Sequence, residues 1–431
     1  MPSSDQVMDT VTQPETMSSA PATAEPAPTG KRALSGKRVA MVTFSPYPFD
    51  PRPRRAVDAL VEEGATVDLI CLASPGAPRS EARNGVRVFR VPMKHPRAGK
   101  LQYLFRYGSF ILLSSFLFAW RCFPRRYDLV YVHNMPDILV VTGLFPKLLG
   151  AKLVLDLHDV MPELMKTIFN AAEESASVRL LKVLEKWSIA RTDLAITINQ
   201  ACANVFLSRS CSPQKMAVVM NTPDTRIFQF QPPEPVASDG RSGRESFVVM
   251  YHGTIVERNG LDLAVEALAK ARRTIPNLEL RVFGPRTQFL ERVLRMTQDR
   301  GLEHMVRWLG PRSLEELVRE ILDCDLGVIP NRRNAFTATN TPVRIFEYLA
   351  LGKPVIAPAT PGIQDYFDGK SMLYFAAGDA EDLACKVEFA YSHPHDVRQI
   401  VINAQKVYRE HTWERERQTL VDRVGEILSA R

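Results

Sequence analysis

The stretch that most constrains this chain is NTPVRIFEYLALGKPVIAP, from Asn340 to Pro358. It joins two short apolar runs, CDLGVIP (Cys324 to Pro330) and PVIAP (Pro354 to Pro358), both bounded by Pro or polar residues and rich in Val, Ile and Leu. Such runs suit strands buried on both faces of a parallel sheet. Between them Val343, Phe346, Tyr348, Leu349 and Leu351 recur at helical spacing. Pro342 fits the first turn and Gly352 the end of that helix. The pattern predicts a strand–helix–strand unit in which Arg344 and Glu347, three residues apart, share one helix face. A helix start near Ala338 to Thr341, at the carboxyl end of a parallel strand, would aim backbone N–H groups at an anion. A phosphate there, an arginine beside it and a carboxylate for ribose hydroxyls would make a nucleotide-sugar site. The plainer reading is an i,i+3 ion pair on a surface helix, and spacing alone favours it.

The fifteen positions from Pro342 to Ile356 also fit P-x-K/R-x-x-E-Y-x-A-x-G-K-P-V-I without a gap. That pattern resembles the donor-site helix of the family 4 glycosyltransferases, retaining enzymes of the GT-B fold. The resemblance implies an α/β chain of two Rossmann-like, doubly wound domains facing a central cleft. It makes Glu347 the second glutamate of the family's paired-glutamate motif, the one that binds the nucleotide ribose. The first glutamate falls at Thr339, so the usual carboxylate contact to the donor sugar is missing or replaced. Thr339, Asn340 and Thr341 are then donor-side residues.

Residues 1–36 are rich in Pro, Ser, Thr, Ala and Gln without an apolar period, which predicts a disordered leader. No apolar segment behind a basic stretch marks a secretory signal. Order begins with a strand at KRVAMVTF (Lys37 to Phe44). A Pro-rich loop bearing Arg52, Arg54 and Arg55, a helix, a turn at Gly64 and a second strand follow. By resemblance this loop borders the cleft. Arg52, nearest the strand end, is the candidate to contact a phosphate or an anionic acceptor; a solvated basic helix start is the alternative. VRVFRVP reads as another strand. From Tyr107 to Trp120 the chain is then almost wholly apolar, but too short and too interrupted by Arg106 to span a bilayer. Arg97, Lys100, Arg106, Arg121, Arg125 and Arg126 flank it. A helix lying in the interface of an anionic membrane and a helix packed on the sheet both fit, and one helix can be both.

DLVYVHN and AKLVLDLHD place His133 and His158 at strand carboxyl ends, where α/β folds hold ligands. LDLHDVMPEL resembles the family's acceptor-side D-x-H-D/E-x-x-P-E. The resemblance makes His158 a polar contact near the reacting sugar, with Asp159 and Glu163 positioning it or the acceptor. An imidazole that both donates and accepts near neutral pH suits that place. MAVVMNTPDTRIF, similar to the family's V-x-x-N-G-x-D-x-x-x-F with Thr222 for the glycine, closes a domain over 37–228. The Pro/Gly/Ser-rich stretch 229–246 is a linker. Alternating strands and helices over 247–405 give the second sheet. The segment 406–431, with Trp413 opening its last helix, is expected to cross back to the first domain.

In the family, the loop after a motif like Tyr251-His252-Gly253 carries an arginine and a lysine that neutralise the donor diphosphate. Those positions align with Thr254 and Asn259. Arg258 is the substitute, with Arg344 as its partner. Gly310 and Arg312 lie where the nucleotide base packs.

A length of 431 residues allows two cores, and a formal charge of +7 suits an anionic ligand, an anionic membrane surface or nucleic acid without choosing among them. Six scattered cysteines without metal spacing point to a reducing compartment. The expectation is therefore a cytoplasmic retaining glycosyltransferase, peripheral at the inner face of the cell membrane. It would move a sugar from a nucleoside diphosphate donor to a glycan or lipid-linked acceptor in polysaccharide assembly. By resemblance His158, Arg258, Arg344 and Glu347 carry the catalysis, and no metal or cofactor is required. A non-catalytic nucleotide-sugar sensor or partner subunit, and a GT-B sugar-nucleotide epimerase, are the rival readings. Nucleic-acid binding lacks a basic–aromatic reading module.

Overall fold

The computed structural model describes residues 32–74, 76–93, 100–236 and 245–430. Most of the expected leader, residues 237–244 of the linker, Arg97 and the side chain of Lys100 lie outside them. The described residues form two compact units. One runs to Asn221 and resumes at Glu416; the other is Thr222–Arg415. The late return is held by side chains. Glu416 accepts the Met220 amide at 2.8 Å, and Arg417 pairs with Glu62 and Glu63 at 2.9 and 2.7 Å.

The first unit is built on eight strands: β1 (Arg38–Pro46), β2 (Thr66–Leu72), β3 (Ser80–Arg83), β4 (Val86–Val91), β5 (Leu129–His133), β6 (Lys152–Leu157), β7 (Leu194–Thr197) and β8 (Met216–Val218). Their order is β3-β4-β2-β1-β5-β6-β7-β8, parallel throughout except β3 against β4. Val39 to Val42 are fully buried because both faces are covered, as the unbroken apolar run anticipated. β3, SEAR, is wholly exposed and has no apolar alternation, so no pattern of residues announces it. On one face, Phe110, Phe118 and Cys122 of the Lys100–Cys122 helix enter the core beside Val130, Leu153 and Leu155. The strand order reverses between β1 and β5, which opens a crevice at their carboxyl ends.

The second unit has six parallel strands: β9 (Phe247–His252), β10 (Leu278–Phe283), β11 (Val306–Gly310), β12 (Leu326–Val328), β13 (Val355–Pro358) and β14 (Leu373–Phe375). Their order is β11-β10-β9-β12-β13-β14, so this sheet reverses between β9 and β12. The helix joining β12 to β13 is Val343–Ala350; it buries Ile345, Phe346, Tyr348 and Leu349 and ends before Gly352 at φ +71°. It starts later than the sequence suggested. Pro342 is its N-cap residue, and Ala338 to Asn340 spend their amides on Asn334, Phe336 and Thr337 carbonyls. The anion-facing helix start expected at 338–341 is therefore absent from that segment.

One glycine lets this helix reach the sheet. A Cβ on Gly327 would lie 2.5–2.6 Å from three atoms of the Tyr348 ring, so only glycine admits the ring against β12. Among the described residues no helix is long and apolar enough to cross a membrane. None of the six cysteines is in a disulfide.

Candidate functional site

In the second unit the switch point gathers the expected residues around one that was not expected, His252. It ends β9, and its buried ring is held from two sides by the Val343–Ala350 helix. Nε2 lies 2.6 Å from Glu347 Oε2, and Nδ1 lies 2.9 Å from the Tyr348 hydroxyl. That hydroxyl also donates to the Met250 carbonyl at 2.8 Å. A hydroxyl has one proton and a carbonyl can only accept, so Tyr348 must accept from His252 Nδ1–H. Nε2 then faces a carboxylate oxygen at 2.6 Å, and a contact that short needs a further proton between them. Burial holds the imidazole below its ordinary value, with Glu347 working the other way. At 2.6 Å the pair shares that proton between Nε2 and Oε2. Glu347 is thus fixed through Oε2, while Oε1 is left for another partner.

Arg344 does not pair with Glu347 as the plain surface reading had it. Its Nη1 donates to the His252 carbonyl at 2.6 Å and its Nη2 reaches Asn331 Oδ1 at 3.3 Å, with the guanidinium 5.2 Å from the Tyr251 ring centre. Gly253, at φ +110°, admits this side chain: an added Cβ would meet Arg344 Cδ at 3.2 Å. Thr254 is exposed, and its carbonyl accepts from Tyr251 and Asn259 at 2.9 and 2.7 Å. Asn259 therefore ties the loop that Arg258 occupies. The Arg258 carbonyl takes the Arg332 amide at 3.0 Å, and its guanidinium lies 5.8 Å from the Phe336 ring centre.

The 331–341 loop is held by bonds within itself and to its neighbours. Asn334 Oδ1 accepts the Phe336 and Thr337 amides at 3.0 and 2.9 Å, the Thr339 hydroxyl turns back to the Phe336 carbonyl at 3.1 Å, and Thr341 bonds the Gly362 carbonyl at 2.5 Å. Asn340 is half-buried between them. Gly310 turns at φ +80°, and Arg312 folds back onto the Leu309 carbonyl at 2.6 Å and Glu320 at 3.2 Å. The one D-x-D in the sequence, Asp323-Cys324-Asp325, is structural: Asp323 pairs with Arg281 at 2.6 Å and Asp325 accepts the Val248 amide at 2.8 Å.

In the first unit His133 and His158 do meet, Nδ1 to Nε2 at 2.9 Å, beside Asp156 on β6. Arg52 corrects its expectation. Buried, it grips both Asp156 oxygens at 2.6–3.1 Å and donates to the Val219 carbonyl and Asn221 at 2.9 and 3.0 Å. Its guanidinium is spent on these partners within the fold. Burial opposes the Asp156 charge, yet Arg52 and the two histidines outweigh it and hold the carboxyl far below its usual range. Burial also keeps His133 well below its ordinary value, hence neutral, with Nε2 unpartnered. His158 keeps a partly exposed ring, and Asn134 fixes its backbone: Oδ1 accepts the His158 amide at 2.7 Å while Nδ2 bonds the Asp159 carbonyl at 2.9 Å.

Glu163 is a second correction. Arg209 claims it at 2.8 and 3.0 Å and also bonds Glu185, which makes a buried helix-to-helix clasp. His133, Asp156 and His158 bring three possible metal donors within 4.8 Å of one another. The Arg52 guanidinium and a proton from Tyr131 at 2.9 Å already occupy that carboxylate, which works against a dication.

Comparison with known proteins agrees with the two units. The family described as glycosyl transferases group 1 matches residues 238–407, and a glycosyl transferase 4-like domain matches residues 50–222. A D-inositol 3-phosphate glycosyltransferase of Corynebacterium aurimucosum is 24% identical over 281 residues, 62% of this chain and 64% of the relative. The chain thus spans less than two thirds of that relative's length. Among solved structures, sucrose-phosphate synthase of Thermosynechococcus elongatus superposes at a TM-score of 0.70 with 19% identity, over 92% of this chain and all of that one. Anabaena HepE in complex with UDP does so at 0.65 and 17%, again over 92% and 100%. With both units matched in sequence and fold, this chain belongs to the family 4 glycosyltransferases and has their two-domain, Rossmann-like GT-B fold.

Proposed function

We propose that the chain transfers a sugar from a nucleoside diphosphate sugar to an acceptor with retention at the anomeric carbon. The carrying observation is the group at the second sheet's switch point: Arg344 on the His252 carbonyl, Glu347 on its ring, and Arg258 in the adjoining loop. Two guanidiniums offer fixed donors to a departing diphosphate, which supports transfer without a metal. Glu347, oriented through one oxygen, keeps the other for ribose hydroxyls. His158, the partly exposed member of the histidine pair, holds a hydroxyl of the sugar or acceptor. In the front-face route, the bond from the anomeric carbon to phosphate breaks on the face where the acceptor bond forms, and the leaving phosphate takes the acceptor proton. The protein supplies position and charge. The acceptor is a glycan or lipid-linked saccharide, met from the cytoplasmic side of the cell membrane.

A second reading, a non-catalytic nucleotide-sugar partner or sensor, draws on Thr254, Asn259 and Thr339, which stand where the family has charged groups; the Thr339 hydroxyl is turned into its own loop. Isothermal titration with UDP, GDP and ADP, with and without magnesium, tests the donor site. The UDP held by HepE makes the uridine nucleotide the first to try. Metal-independent binding of one nucleotide, lost in Glu347→Ala, is the expected result. Failure of all three to bind removes the donor reading.

A further inference from the structure

The Lys100–Cys122 helix has two unlike faces. Phe110, Ser114, Phe118 and Cys122, four residues apart, are buried against the first sheet, and Phe44 packs on Phe110 with ring centres 5.0 Å apart. At about 100° per residue, Phe105, Leu112, Phe116 and Trp120 fall on the opposite side. They are 75%, 73%, 63% and 67% exposed, and Phe123, just past the helix, is 79% exposed. From Phe105 to Trp120 this apolar stripe runs about 22 Å at 1.5 Å per residue. The short Leu144–Leu148 helix packs beside it and adds Phe145 and Leu148, the latter 84% exposed. A monomer in water does not ordinarily leave so continuous a set of aromatic and aliphatic groups uncovered.

Charge selects what covers it. From Asn84 to Tyr127 the chain has nine lysines and arginines and no carboxylate. Arg87 and Arg90 are neutralised within the fold by Asp68 and Glu81. Arg106, Arg121, Arg125 and Arg126 adjoin the stripe. A second copy meeting this face would bring the same cations and no acid to answer them. A bilayer containing anionic lipid offers both an apolar interior and negative headgroups.

We infer that this helix face, with Phe123 and Leu148, is a docking surface for an anionic phospholipid bilayer. There Phe116 and Trp120 enter the acyl boundary and Arg126 sits among the headgroups, while Arg125 holds the Gly36 carbonyl at 2.7 Å. The inference deepens the reading of a membrane-side acceptor and rests on it only for the purpose of the surface. It differs from a spanning anchor, because the opposite helix face belongs to the protein core.

The test is co-sedimentation of the full chain with vesicles of phosphatidylcholine alone and with 30% phosphatidylglycerol. Binding confined to the anionic vesicles and weakened by salt is expected. Phe116→Ser with Trp120→Ser, both on the exposed face, should lower that affinity on the order of tenfold or more while the circular dichroism spectrum is retained. Arg126→Gln should lower it about fivefold. Equal binding to both vesicles, no binding, or binding untouched by the double substitution overturns the inference. So does a dimer in solution that the double substitution dissolves. Nucleoside diphosphate titration of the parent chain, beside its vesicle binding, separates the two proposals. Vesicle binding without any nucleotide binding sinks the transfer reading alone, and the reverse sinks this one alone.

Discussion

Replacing His252 by leucine tests whether the shared proton beneath Glu347 holds the donor-side helix in place. The substitution keeps roughly the same volume but removes both ring bonds, to Glu347 at 2.6 Å and Tyr348 at 2.9 Å. Glu347 is then left with a side chain only 11% exposed and no counter-charge on Oε2. Removing one partner of a buried pair typically costs about 3–5 kcal/mol. Glu347→Gln, in contrast, keeps shape and acquires an amide N–H for the unprotonated Nε2, so its cost should be about 1 kcal/mol. In the double variant no charge is stranded, and its cost should fall short of the summed singles by about 2 kcal/mol. A two-unit chain need not unfold in one step, so the sharper readout is the opening free energy of the Val343–Ala350 amides by native-state hydrogen exchange. Costs that simply add, or a His252→Leu variant within 1 kcal/mol of the parent, would refute the shared-proton arrangement.

Three other substitutions probe separate parts of the argument. Gly327→Ala should push Tyr348 off β12, costing about 1–3 kcal/mol in urea unfolding and weakening nucleotide binding; a neutral effect on both refutes the close-approach account. Arg52→Ala strands buried Asp156 and should destabilise the first unit by about 3–5 kcal/mol while leaving nucleotide affinity unchanged, and a selective loss of nucleotide binding restores Arg52 to the site. Burial raises the Asp137 carboxyl to about 7, against the pull of an Asn134 hydrogen bond. The fold therefore keeps a proton that the unfolded chain releases near pH 4. The stabilisation is complete below that pH and is lost as pH rises through 7, up to about 4 kcal/mol. Asp137→Asn should abolish that slope in denaturant titrations between pH 5 and 8, and an unchanged slope assigns it elsewhere.

Both sheets and the helix between β12 and β13 were legible because strands covered on two faces leave unbroken apolar runs, and because Pro342 and Gly352 bracket the helix. Arg344 and Glu347 were legible as residues. Their arrangement was not, since it depends on His252, 95 positions from Glu347, brought near by strand order. The Tyr251-His252-Gly253 motif was in view, and a histidine at a strand end before a glycine was the available signal. Arg52 and Glu163 misled for the same reason in reverse. A sequence displays a charge but not its counter-charge, and Asp156 lies 104 residues from Arg52, Arg209 46 from Glu163. The late helix start follows from the tight turns over 334–340, where the Ala338, Thr339 and Asn340 amides go to the Asn334, Phe336 and Thr337 carbonyls.

The return of the chain to its first unit at Glu416 sets a clock on synthesis. The Met220 amide and the Glu62–Glu63 carboxylates leave the ribosome well before Glu416 and Arg417, with all of Thr222–Arg415 made in between. At 5–20 residues per second that interval is roughly 10–40 s. Throughout it the first sheet is complete but lacks its closing helix, and the second unit can finish folding before the first is sealed. The first unit, begun first in translation, is thus the last whose chain is complete.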